Sequence, residues 1–223
     1  MLYDFHTHTF LSDGELSPVE LIRRAYVRGY RAIGVADHAG PGNVEWIVKQ
    51  LVEDCRFCER HWDIQALPGV ELTHLPPSTI GDVARAARGA GAKIVVVHGE
   101  TPAEPVEPGT NLAAVRCPEV DVLGHPGMLS EEEAHLAAEN GVFVELSARR
   151  GHSLTNGLVA RVGGAAGARF VVDSDGHHPD DLLTPQLAWK VARGAGLDEP
   201  TAREVLEQNP ERLLLKLAGR ARL

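Results

Sequence analysis

The chain has 223 residues, 43% of them hydrophobic and 24% charged, with a formal net charge of −9, the balance of one soluble globular domain. No run of about 18 apolar residues occurs, so no membrane span is expected, and the acidic balance argues against a broad nucleic-acid-binding face. Three cysteines, Cys55, Cys58 and Cys117, make no disulfide framework and suit a reducing cytoplasm.

The first apolar run, 2–5, begins within two residues of Met1, which leaves no room for a signal peptide. It is followed by six further runs rich in Val and Ile, at 32–36, 64–70, 93–97, 120–123, 142–146 and 169–172. Short, continuous and apolar, they read as strands buried on both faces of a parallel sheet. Helical stretches separate them. Ser17, Pro18 and Glu20 form a capping-box start; Ser130 with Glu133, and Thr201 with Glu204, repeat the signal. Gly29, Gly91 and Gly141 each close a helix before the next strand. Cys55 and Cys58 fall inside a helical stretch, 44–60, and read as ordinary helix cysteines. The run 101–109, rich in Pro, Glu and Gly, reads as a loop bordering a site. The tail, 200–223, reads as two helices that pack outside the barrel or cap its bottom. Strands alternating with helices imply βαβ units, and seven of them imply an α/β fold of one domain over 1–223, closed or nearly closed as a seven-stranded TIM-like barrel.

Six of the seven strands run out on residues that bind metals: His6 and His8, Asp37 and His38, Glu71, His98, His125, and Asp175 with His177. Imidazoles and carboxylates are ligands for Zn²⁺, Mn²⁺ and Fe²⁺. A ligand on nearly every strand end makes sense where strand ends converge, at the top of a barrel. A doubly wound open sheet would gather its site at one switch point instead.

In order, His6-Thr7-His8, Ser12-Asp13-Gly14, Asp37-His38, Gly69-Val70-Glu71, His98, Gly124-His125-Pro126 and Ser174-Asp175-Gly176-His177 resemble the PHP superfamily (polymerase and histidinol phosphatase). Each motif is weak alone; seven in order across most of the chain are specific. The resemblance implies a distorted seven-stranded β/α barrel with a trinuclear metal site that hydrolyses phosphoesters. It implies that His6, His8, Glu71 and Asp175 hold one ion, that Glu71 bridges to a second held by His98 and His125, and that Asp13, His38 and His177 hold a third. An oxygen ligand at Asp13, where some members carry histidine, favours manganese or iron there. Two or three divalent ions (Zn, Mn or Fe) are expected. Ions about 3.5–4 Å apart share a hydroxide, lower its pKa and place it in line with phosphorus.

Strand six ends on Glu145 and is followed by Arg149, Arg150 and His152. An arginine fork binds phosphate, so Arg149 or Arg150 is the candidate phosphate clamp, and His152 the candidate proton donor to the leaving group. Glu71, Asp175, His177, Arg149 and His152 are thus the expected catalytic set. Asp37 and Asp173 are candidates to orient ligand imidazoles; Asp173 and Asp175 alternate onto one face, so an exchange of roles between them stays open. Glu100 is a candidate to touch a ligand, while His61, His74, His135 and His178 are not expected as ligands; His61 and His135 fall in helices, and His74 and His178, slightly past a motif, are candidates to line the rim. The expected reaction is hydrolysis of a small phosphate monoester in the cytoplasm, with L-histidinol phosphate the leading substrate by resemblance; a nucleotide or nucleoside-bisphosphate phosphatase is the alternative. A metal-dependent amidohydrolase would carry a bridging lysine at a strand end, where this chain has Glu71, and Lys93 begins its strand. A polymerase-associated module without activity is the last alternative, against an intact ligand set.

Overall fold

Strands and helices alternate along residues 1–220, the part of the chain described in the computed structural model. In chain order the elements are β1 (Leu2–Thr7), α1 (Pro18–Val27), β2 (Tyr30–Val35), β3 (His38–Ala39), α2 (Val44–His61), β4 (Gln65–Leu72), α3 (Ile80–Ala90), β5 (Ile94–His98) and α4 (Thr110–Arg116). Then come β6 (Val122–Gly124), α5 (Glu131–Asn140), β7 (Phe143–Ser147), α6 (Asn156–Ala166), β8 (Phe170–Asp173), α7 (Pro185–Gly194), α8 (Glu199–Arg203) and α9 (Asn209–Arg220). The sheet runs β1-β2-β4-β5-β6-β7-β8, with every pair parallel. These seven strands form the expected nearly closed TIM-like α/β barrel. The two-residue β3 lies off this path and pairs with β4, setting His38 opposite Glu71.

The last seam is where the barrel departs from regularity. Between β8 and β1 one bridge joins Thr7 to Gly176, and the His8 N–H donates to the Gly176 carbonyl at 2.9 Å. Below it, side chains replace the ladder. The Phe5 N–H donates to Asp173 Oδ1 at 2.6 Å, and the Ser174 N–H donates to Asp4 Oδ1 at 3.0 Å. Both carboxyls are fully buried. Burial pushes Asp4 up to about 7, and burial together with Asp4 pushes Asp173 well above the usual carboxylate range.

The period of two sorts the strands into two cores. Val95 and Val97, Val144 and Leu146, and Val70 and Leu72 face the helices. Their neighbours Ile94 and Val96, Phe143, and Leu67 face inward and pack with Tyr3, Phe5, Val122 and Val171. Leu213, Leu214 and Leu217 of α9 join that inner cluster, so the C-terminal helix caps the bottom of the barrel. Of the tail read as helical, residues 221–223 lie outside the described residues.

The helix ends follow local chemistry with two corrections. Ser130 and Glu133 form the full reciprocal box at α5. At α1 Ser17 accepts from the Glu20 N–H, but the Glu20 carboxylate turns to Arg24 instead of closing the box. At α8 the cap is Asp198, which accepts from the Thr201 N–H; an aspartate accepts the same bond as a threonine, and the helix begins earlier than expected. Cys55 and Cys58 lie on the buried face of α2 as free thiols. No described helix is long and apolar enough to cross a membrane.

Candidate metal centre

Strand alternation delivers the candidate ligands to the top of the barrel. On β5, Ile94 and Val96 point inward, and the next residue on that face is His98; on β4 the same step leads from Leu67 through Gly69 to Glu71. On β1 the register with β2 shifts between Asp4 and Thr7. The irregularity re-aims one side chain, so that Phe5 fills the inner core while the adjacent His6 faces the carboxylates of the site. Room for the His6 ring comes from Gly124, where an added Cβ would lie 3.3 Å from His6 Cε1 and 3.4 Å from Glu145 Oε2.

Glu71 is the hub. Its Oε1 lies 3.2 Å from His6 Nε2, 3.1 Å from His98 Nδ1 and 3.3 Å from His125 Nε2; its Oε2 lies 2.7 Å from His38 Nδ1. Asp175 Oδ1 lies 3.2 Å from His8 Nε2, and its Oδ2 lies 3.6 Å from His125 Nε2. Asp13 Oδ1 completes the outer edge, 3.4 Å from His38 Nε2 and 3.2 Å from His177 Nε2. All nine residues singled out as ligands therefore meet in one place. They fall into groups whose ligand atoms lie within 4.8 Å of one another: His8, Asp13, His38 and His177; His6, Glu71 and His125; His6, His8 and Asp175; His38, Glu71 and His98. His125 and Asp175 both sit at positive φ, 23° and 49°, backbone strain of the kind that persists where function requires it.

The donor set fits divalent ions. Five ring nitrogens on His6, His8, His98 and His125 are buried without a hydrogen-bond partner, and each unsatisfied buried group costs about 1–3 kcal/mol. The charges say the same. Burial pushes the Glu71 carboxyl up, yet His6, His98 and His38 reverse this and hold it well below the usual range. Burial pushes His38 down, yet Glu71 and Asp13 raise it to about 10. Carboxylates thus meet imidazoles across the whole cluster, a concentration of negative charge and ring nitrogens that metal cations can offset. Burial dominates at His8 and holds it down to about 3, which favours a neutral imidazole able to offer a ring nitrogen to a metal.

Several supporting roles differ from the sequence expectation. Asp37 does not orient an imidazole; it accepts from the Thr9 N–H and from the hydroxyls of Thr9 and Ser12 at 2.6–2.7 Å, pinning the turn that carries Asp13. Asp173 is committed to the barrel seam, which leaves Asp175 facing the cluster. The imidazole-orienting carboxylate is Glu145, whose Oε2 accepts from His6 Nδ1 at 2.7 Å. Its signal was the alternation Phe143, Glu145, Ser147, which puts it on the inner face of β7. Glu100 accepts from the N–H groups of Gly109 and Asn111 and so ties down its own loop. His74, read as a rim residue and not a ligand, lines the cavity, as does Glu104, which was not singled out.

The cavity over the cluster measures about 380 Å³ and is lined by Asp13, His38, Glu104, Arg149, His152 and His177 among others, a size suited to a small ligand. Arg149 reaches into it. Its Nη1 donates to the Asp175 carbonyl at 3.0 Å and lies 2.7 Å from His177 Nδ1. Arg150 is exposed and does not line the cavity. His152 is buried, and burial together with His125 holds it down to about 4, so its ring is neutral and carries one N–H to donate.

No protein-family model matches the chain. It is 44% identical over 218 residues to an uncharacterised protein of Methanocaldococcus jannaschii, covering 97% of this chain and all of the other. It is 28% identical to a probable phosphatase of Thermoanaerobacter sp., over 89% of this chain and 88% of that one. It is 27% identical to ribonuclease P protein component 3 of Methanosarcina mazei, over 96% and 89%. Among solved structures, histidinol phosphate phosphatase from Lactococcus lactis, complexed with zinc, L-histidinol and phosphate, superimposes with a TM-score of 0.61 at 14% identity, covering 88% of this chain and 94% of the other.

Proposed function

The chain belongs to the PHP (polymerase and histidinol phosphatase) superfamily and is a phosphoesterase of that group; on that premise we propose that it hydrolyses a small phosphate monoester, with L-histidinol phosphate the leading candidate and a nucleotide or nucleoside bisphosphate the alternative. The observation that carries this reading is the convergence of four imidazoles on Glu71 at the floor of a small cavity with Arg149 at its rim. His6, His8, Asp13, His38, Glu71, His98, His125, Asp175 and His177 are the residues to hold two or three divalent ions of the Zn, Mn or Fe type. Bound there, such ions activate water as a nucleophile and offset charge on the phosphoryl oxygens.

The protein's own groups do the rest. Glu71, with two oxygens facing different imidazoles, is placed to be shared between neighbouring sites. Glu145 fixes the tautomer of His6 by taking its Nδ1 proton in a hydrogen bond, leaving Nε2 free as a ligand. Arg149 offers a planar fork to the phosphate. His152, which lines the same cavity, is placed to donate its N–H toward the leaving oxygen. The substrate's identity is tested by hydrolysis of a panel holding histidinol phosphate, nucleoside monophosphates and bisphosphates, each with Mn²⁺, Zn²⁺ and Fe²⁺. Glu71→Gln is expected to lower kcat at least about 10²–10³-fold on every active substrate; full activity in that variant would remove the carboxylate hub from the mechanism.

A second reading, association with RNA, is favoured by the likeness to a ribonuclease P protein. The net charge of −9 runs against it. Salt-dependent binding to a structured RNA, measured beside the phosphatase panel, separates the two.

A further inference from the structure

The outer side of α2 carries an aromatic stripe that the barrel does not use. The helix buries Val44, Ile47, Val48, Leu51, Cys55 and Cys58 in the barrel's core, and its other side is expected to be polar. Instead Trp46 and Phe57, about three turns apart and so on one face, stand 54% and 43% exposed. Phe57 leans on His61, with ring centroids 4.8 Å apart. At the end of the helix Trp62 stacks on Tyr26 of α1 at 6.3 Å, and the Arg23 guanidinium lies over both rings. Val27, next to Tyr26, is exposed as well. Only 5% of the chain is aromatic, so gathering Tyr26, Trp46, Phe57 and Trp62 on two neighbouring helices is a concentration. Trp, Tyr, Phe and Arg are the residues enriched at the centres of protein interfaces.

The charges along the stripe say what fits it. One edge of the helix reads Glu45, Lys49, Glu53, then Arg56 and Arg60, acidic and basic in alternation at steps of about one turn. Read backwards, the order is basic, acidic, basic, acidic. The edge is therefore complementary to its own reverse, and a copy running the same way in register would set like charges together. In a two-fold antiparallel pairing centred between Gln50 and Glu53, Trp46 of one copy falls against Phe57 and His61 of the other. Lys49 then faces the other copy's Glu53, and Glu45 faces its Arg56 and Arg60. Each contact occurs twice, as an isologous interface requires. Lys49 holds Glu45 of its own helix at 3.2 Å, an exposed pair too weak to keep it from a second carboxylate. The helix is nearly neutral, with Glu45, Glu53, Asp54 and Glu59 against Lys49, Arg56 and Arg60, so the repulsion between two chains of net charge −9 is not concentrated here. A stable pair buries roughly 800 Å² per partner. The 18-residue α2, about 27 Å long, supplies the centre, and Arg23, Tyr26, Val27 and Trp62 extend it.

We propose that the outer face of α2, with the end of α1, is the contact of a two-fold homodimer in which α2 packs antiparallel on α2 of a second copy. The face lies on the flank of the barrel, away from the strand ends that carry the candidate ligands, and the proposal stands or falls apart from the metal-dependent function.

The test is the mass of the full-length protein by sedimentation equilibrium over a concentration series. Wild type is expected to approach twice the chain mass. Trp46→Glu and Phe57→Glu, at exposed positions where glutamate suits a helix, are each expected to weaken self-association on the order of 100-fold. Leu215→Glu, at an exposed leucine of α9, should leave it unchanged. Far-UV circular dichroism checks that each variant keeps the fold. Charge reversal tests the register. Lys49→Glu and Glu53→Lys alone each set like charges face to face and should weaken the dimer about 10-fold or more, while the double variant restores opposite charges and the wild-type affinity. A wild type that stays monomeric through the series overturns the proposal. A dimer that Trp46→Glu and Phe57→Glu leave intact uses another face and also overturns it. A dimer weakened by those two, but no tighter in the double charge variant than in the single ones, overturns the antiparallel pairing.

Discussion

Arg149 and Arg150 are neighbours in sequence with opposite surroundings. Arg149 points into the cavity and touches the Asp175 carbonyl, whereas Arg150 is exposed. A phosphate monoester brings two negative charges to a fork that can take both oxygens; a diester brings one. Arg149→Ala is therefore expected to raise KM for monoesters about 10-fold or more, a loss of roughly 1.5–3 kcal/mol for a charge-assisted bond, and to change KM for diesters much less. Arg150→Ala should leave both unchanged. Steady-state kinetics on a monoester and diester pair checks this, and equal effects on both substrates would remove Arg149 as the clamp. The sequence named the pair but left its two members unresolved, since residues past a strand end have no periodicity to orient them. The residues that converge on Glu71 were legible because most of them sit where a strand stops, Asp13 in the turn after β1 being the exception. Glu145 obeys the same period of two, but a lone carboxylate within a strand belongs to no motif that marks it. His74 was legible as a rim residue because it follows the Glu71 motif closely, though not its left-handed backbone; Glu104 was not legible, because it depends on a loop path, the Glu100 tie beneath it.

At the scale of elements, the alternation of apolar runs with capped helices was enough to give the strand order, because parallel neighbours in a βαβ series have little choice of partner. The β3 extension escaped notice, since two residues carry no pattern. The closing seam was equally hidden. Its bonds are side chain to backbone, with Asp4 and Asp173 each taking an N–H from the opposite strand. Asp173→Ala leaves the Phe5 N–H buried without an acceptor, and a lost partner of that kind costs about 1–3 kcal/mol. Asp173→Asn keeps an acceptor oxygen at the same place and is expected to cost clearly less. Urea unfolding of the two variants, both stripped of metal so that ion binding does not enter, measures the difference. Equal stabilities would mean that the seam is held by the Thr7–Gly176 bridge and core packing alone.

At the scale of the whole molecule, a barrel that gathers nine candidate ligands, imidazoles and carboxylates, at one end concentrates much of its own destabilisation there. The carboxylates and imidazoles at the top are buried by the same strands that carry the apolar core below, and α9 plugs the other end with Leu213, Leu214 and Leu217. Ions at the proposed centre would bind the folded chain and find only scattered groups in the unfolded one, so they would stabilise by mass action. One site at 100 times its Kd contributes about 2.7 kcal/mol, which in a chain of this size raises Tm by roughly 5–10 °C. Removing metal with a chelator is accordingly expected to lower Tm by at least that much, and re-adding Mn²⁺ or Zn²⁺ to restore it. Glu71→Gln, which weakens the shared hub, should show most of the drop without chelator and little further change with it. The net charge of −9 sharpens the expectation, since divalent ions offset much of a charge that repels an anionic substrate. A wild-type Tm that stays the same through chelation and re-addition would mean that the carboxylate and imidazole cluster is satisfied by its own protons, and the metal-centred reading of the strand ends would fall with it.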